Sequence, residues 1–180
     1  MTTTTVAATQ GGSYTIHDTW TELYVGIHHL VYRMLPAPGE RVKSEDRAMC
    51  QLALVASNQL MEIALYRLLT PLAQQEGNID KLRKNSYSDM LTKWVPNACG
   101  KSLDLQSDPF LSTELLRERR NDTIHKTSSP VSIPVARAAL STAVCGCVAL
   151  HTHFGQQFPY VGFLERWELP REILMSSIDE

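Results

Sequence analysis

Residues 44–73, SEDRAMCQLALVASNQLMEIALYRLLTPLA, decide the fold of this chain. Ser44 followed by Glu45 and Asp46 reads as a helix N-cap with acids in the first turn, where they face the positive end of the helix dipole. Leu52, Ala53, Ala56, Leu60, Ile63, Ala64 and Leu68 then form one apolar stripe, and Leu54, Val55, Met61, Leu65, Leu69 and Leu72 widen it. Only a narrow polar line is left: Asn58, Glu62, Tyr66 and Thr70. A helix apolar around so much of its circumference must be covered on more than one side, which places it at the centre of a helical bundle or between the core and a partner. Pro71 is expected to kink or shorten its last turn.

Working outward, Thr19-Trp-Thr-Glu22 has capping-box spacing and predicts the start of a first helix at Thr19. Trp20, Leu23, Tyr24, Ile27, Leu30, Val31 and Met34 recur on one face of it, and Leu35-Pro-Ala-Pro-Gly39 ends it. The segment 74–84 reads as a polar loop with a basic end (Lys81, Arg83, Lys84). A short helix is predicted over 88–95, with Tyr87, Met90, Leu91, Trp94 and Val95 on one face, stopping before Pro96. Asp108-Pro109 reads as an N-cap with proline at the first helical position of a fourth helix that runs to Lys126. Ser128-Ser129-Pro130 breaks it. A last helix, 133–157, is rich in small residues (Ala136, Ala138, Ala139, Ser141, Ala143, Gly146, Ala149) that admit a close neighbour. No alternation long enough for a sheet and no internal repeat is present. The expectation is an all-α protein, an antiparallel helical bundle of four to five helices over 18–158. A flexible tail (1–17) precedes it, and a tail or short cap (159–180) containing Tyr160, Phe163 and Trp167 follows.

At 180 residues the chain can bury a real core, and 43% hydrophobic with 20% charged residues is an ordinary globular balance. A net charge of −2 argues against broad, non-specific nucleic-acid binding and leaves room for a small anion site. The longest nearly apolar run, 138–150, is too short to cross a bilayer, so no membrane association is expected. The N-terminus lacks the basic start and apolar core of a secretion signal. Four cysteines (Cys50, Cys99, Cys145, Cys147) form no Cys-x-x-Cys, and reduced thiols in a cytoplasmic protein are expected. His28 and His29 point about 100° apart and His151 and His153 diverge similarly, so neither pair suits a metal. No metal or cofactor is expected. Gly-rich phosphate loops, Gly-x-Ser-x-Gly and His-Glu-x-x-His are all missing.

Residues 119–125, Arg-Arg-Asn-Asp-Thr-Ile-His, carry the chemistry. At about 100° per residue, Arg117, Arg120, Asn121, Ile124 and His125 share an arc of about 140°. Asn121 and His125 are i, i+4 neighbours, so the amide is placed to orient the imidazole. Arg120 occupies a register between Leu116 and Ile124 where the apolar stripe calls for a hydrophobe, and such local conflicts concentrate at functional sites. The competing reading is structural: Arg120 snorkels to the surface or pairs with Glu114, Glu118 or Asp122. Glu62, on the polar line of the long helix, is a candidate to reach this region or to form a structural salt bridge.

The stretch resembles the Arg-x4-His motif of the HEPN family (higher eukaryotes and prokaryotes nucleotide-binding domain), in which an asparagine frequently follows the arginine. The resemblance implies an all-α fold, metal-independent endoribonuclease activity and a homodimer whose site is shared between two subunits. Arg120, Asn121 and His125 would then be the catalytic residues and RNA the substrate. The neighbouring cations Arg117, Arg119 and Lys126 are expected to contact the RNA backbone. Family members serve as toxins or in defence and RNA processing, often beside a neutralising antitoxin protein. Two other classes compete: a non-catalytic bundle that binds a nucleotide or protein partner, and a structural dimer buried through the small-residue last helix.

Overall fold

A computed structural model describes residues 18–37, 40–125, 130–167 and 173–178. The expected N-terminal tail, 1–17, and Lys126 lie outside the described residues. Every regular element among the described residues is helical. Helix α1 (Thr19–His29) runs on into a π-helical turn (Leu30–Met34), and α2 (Ser44–Gln75) is the longest element. Short helices α3 (Ile79–Lys84) and α4 (Tyr87–Asp89) follow, then a second π-turn (Met90–Trp94) that leads into α5 (Val95–Cys99). Helices α6 (Phe110–His125) and α7 (Ile133–His153) complete the main body, with a short α8 (Val161–Leu164) and two 3-10 turns after them.

The core forms around α2 and α7. The Sγ atom of Cys147 lies 3.6 Å from the carbonyl of Leu60, and the Cys50 thiol feels the Arg137 guanidinium, so the two helices run in the same direction. Helix α6 runs against both. Its Thr113 abuts Gly146, where an added Cβ would stand 2.5 Å from the threonine methyl and 2.6 Å from Met61 Sδ, and its Arg119 reaches Pro130 ahead of α7. Helix α1 also runs opposite to α7, with the Val31 carbonyl held by Arg137 Nε at 3.3 Å. Leu54, Leu60, Leu65, Leu69, Leu116, Leu140 and Leu150 are all buried between these four helices. Each such leucine stabilises the fold by about 1.5–3 kcal/mol relative to an exposed one.

Several local expectations change for identifiable reasons. The cap of α1 is Asp18, one residue before Thr19, because its carboxylate accepts from the amides of Trp20 (2.8 Å) and Thr21 (3.0 Å). At the start of α2, Asp46 takes the capping role from Ser44 by accepting from the Lys43 amide at 2.6 Å. Helix α2 continues four residues past Pro71, and Gly77, with φ +68°, closes it by donating to the Gln74 carbonyl at 3.1 Å. The polar stretch read as loop contains α3, anchored by Leu82, which is 1% exposed. Pro96 does not stop the preceding helix, because it falls in the first turn of α5, where a missing amide costs little. Asp108 still satisfies an early amide of α6, that of Ser112 at 3.2 Å, although the helix itself begins at Phe110. Helix α7 ends at His153, four residues short of the expected limit.

The small residues of α7 are used inside the bundle. Ala136, Ala138, Ala139, Ser141, Ala143 and Gly146 are buried against its own neighbours, so they offer no surface to a twin. Helices α2 and α7 are each long and apolar enough to cross a bilayer by length and composition, yet 50% and 67% of their most apolar windows are buried inside the bundle.

Candidate functional site

Helix α6 descends from a buried first turn to an exposed end. Phe110, Ser112, Thr113 and Leu116 are buried, Arg117, Arg119, Arg120 and Asn121 are half-buried, and Ile124 and His125 are exposed. The motif therefore lies where the helix emerges from the core. Arg120 Nη1 donates to Asn121 Oδ1 at 3.0 Å, and Arg120 Nε is buried with no hydrogen-bond partner among the described residues. The expected Asn121–His125 contact gives way to this neighbouring pair: the amide supports the guanidinium rather than the imidazole. The His125 side chain stands exposed one turn further along.

The flanking cations are engaged differently. Arg117 grips one oxygen of Glu114 twice, Nε at 3.1 Å and Nη2 at 2.9 Å, so most of its charge is balanced locally. Arg119 Nη2 donates to the Pro130 carbonyl at 3.3 Å and ties the end of α6 to the approach to α7. Of the three acids expected to compete for Arg120, Glu114 thus belongs to Arg117 instead.

A second polar group draws its residues from α2, α4 and the buried half of α6. Asn58, only 3% exposed, donates through Nδ2 to Glu62 Oε1 at 2.8 Å. The Glu114 oxygen not used by Arg117 and the Tyr87 hydroxyl are both buried without a hydrogen-bond partner among the described residues. Burial pushes the Tyr87 hydroxyl far up its titration range, and the charges of Glu114 and Glu62 reinforce the shift against the opposing pull of Arg117. Glu62, Glu114 and Arg117 thus all lie within electrostatic reach of Tyr87. The polar line on α2 marked Asn58 and Glu62 in the sequence, whereas Tyr87 read simply as a member of an apolar face.

Among the described residues, no group of three or more His, Cys, Asp or Glu is placed to hold a metal ion. His28 and His151 are buried, and His151 Nδ1 lies 2.8 Å from the Cys147 carbonyl. Burial depresses the His151 pKa despite that hydrogen bond. No protein-family model matches this chain, and neither a curated protein nor a solved structure matches it.

Proposed function

We propose that this protein is a HEPN-like endoribonuclease that cleaves RNA without a metal ion and acts as a homodimer. The observation that carries the proposal is the state of Arg120. A guanidinium sits in an apolar register of α6, is braced by Asn121 and keeps a buried Nε with no hydrogen-bond partner among the described residues, just over one turn before an exposed imidazole. A half-desolvated guanidinium with spare donors suits a phosphate, whose oxygens accept two parallel N–H bonds.

In this reading Arg120 binds the scissile phosphate and stabilises the charge that accumulates on its oxygens in the transition state. The ribose 2′-oxygen attacks phosphorus and loses its proton to His125, while the bond to the 5′-oxygen breaks. The products are a 2′,3′-cyclic phosphate and a 5′-hydroxyl, with the second proton delivered to the leaving oxygen by an imidazolium. The motif holds one imidazole per subunit, so a base and an acid together call for the His125 of two copies related by a two-fold axis. A ribonuclease of this kind acts as a toxin or in defence or RNA processing, restrained by an antitoxin protein. Overexpression should then arrest growth, and Arg120→Ala should relieve the arrest. Arrest that persists in a stably folded Arg120→Ala protein would count against the proposal.

A further inference from the structure

We infer that the trough along the outer face of α7 binds an amphipathic anion, an unbranched acyl carboxylate, with its head on Lys101 and its chain along the helix. The trough has a volume of about 540 Å³, within the range of about 300–1,000 Å³ typical of small-molecule sites. Its floor is apolar, formed by Val144, Val148 and the edge of Phe110, and Val148 is left 37% exposed there. Lys101 is the only lining residue with a fixed charge, and it forms no salt bridge with a described residue.

The ends of the trough differ in charge, which sets the direction of the ligand. At one end, His153 Nε2 lies 3.1 Å from the Lys101 carbonyl. A carbonyl only accepts, so Nε2 carries the proton, and the contact fixes the Lys101 backbone against the last turn of α7. At the other end the Cys145 thiol feels the negative charge of Asp108, whose carboxylate accepts from Ser112 Oγ and Ser176 Oγ, each at 2.6 Å. A carboxylate head is attracted to the lysine and repelled by the aspartate. From Cys145 to His153 the helix rises about 12 Å, a length suited to an extended alkyl chain. A cationic amphiphile would meet the opposite field at both ends. This site stands apart from the α6 motif and does not depend on the ribonuclease reading.

The test is a calorimetric titration of the full chain with decanoate, decanol and decyltrimethylammonium, each below its micelle concentration. Decanoate is expected to bind saturably at one site per chain, more tightly than decanol, and the ammonium compound most weakly. Lys101→Met, an exposed substitution, should weaken decanoate about fivefold while leaving decanol unchanged. Val148→Glu, which puts a carboxylate on the exposed part of the floor, should remove both while circular dichroism stays unchanged. Decanoate binding no tighter than decanol, or indifferent to Lys101→Met, would overturn the inference.

Discussion

Arg120 and Asn121 are joined side chain to side chain, Nη1 to Oδ1 at 3.0 Å. Adjacent positions on a helix point about 100° apart, so both side chains must turn toward each other to meet. The bond holds the guanidinium fork in one orientation at the point where α6 leaves the core.

Removing that brace is expected to impair function more than stability. Asn121→Ala should lower RNA cleavage by about tenfold to a hundredfold, because a small misplacement of a charge-stabilising group is costly. Its melting temperature should stay close to that of the parent protein, since Asn121 is only half-buried. Parallel cleavage assays and thermal melts check both parts.

Gly146 marks the closest approach in the bundle. A Cβ there would stand 2.5 Å from Thr113 Cγ2 and 2.6 Å from Met61 Sδ. Gly146→Ala gains about 1 kcal/mol of helix propensity, but overpacking costs about 1–3 kcal/mol. The variant should be less stable by urea denaturation, and adding Thr113→Ser, which deletes the obstructing methyl, should restore part of the loss.

Asp18 caps α1 and also receives the Tyr160 hydroxyl, while Arg67 Nη1 donates to Tyr160 Oη at 2.6 Å and lies 3.4 Å from Asp18 Oδ2. Burial raises the Asp18 pKa, but Tyr160, the Thr21 amide, Arg67 and the Trp20 amide together hold it below its ordinary 3.8. The stabilisation is therefore fully present above pH 3.8 and is lost as pH falls through the lower folded value. Asp18→Asn keeps a cap but lacks the charge. The stability difference between the two proteins should be constant near neutrality and shrink in acid, as followed by urea unfolding across that range.

Tyr160 stacks on Trp20 with ring centroids 4.8 Å apart, and its pKa is pushed up to about 12 by burial and by the hydrogen bond to Asp18. In a spectrophotometric titration, the difference between parent and Tyr160→Phe should show no tyrosinate at pH 10, where a free tyrosine is half ionised.

The long apolar register of 44–73 and the small residues of α7 made the all-helical architecture legible, because burial on several sides leaves few other solutions for a helix. The caps moved by a residue or two, since Asp18 and Asp46 compete with Thr19 and Ser44 for the same amides and the winner depends on geometry. The two π-turns left no mark in the periodicity. The first, Leu30–Met34, closes the opening helix, and the second, Met90–Trp94, leads directly into α5. At the site, the sequence placed Arg120, Asn121 and His125 on one arc but paired Asn121 with the wrong neighbour: a flexible guanidinium next door outreached an imidazole one turn away. The buried Tyr87 hydroxyl depends on how three separate segments meet, and no local pattern encodes that.

The most direct test is to incubate purified protein with 5′-labelled RNA in chelator and to analyse the ends, comparing the parent with Arg120→Ala and His125→Ala. The account predicts fragments ending in 2′,3′-cyclic phosphate from the parent and none from either variant, with helical content unchanged in all three. Cleavage of equal rate by a folded His125→Ala protein, or no cleavage by the parent on any RNA tried, would contradict it.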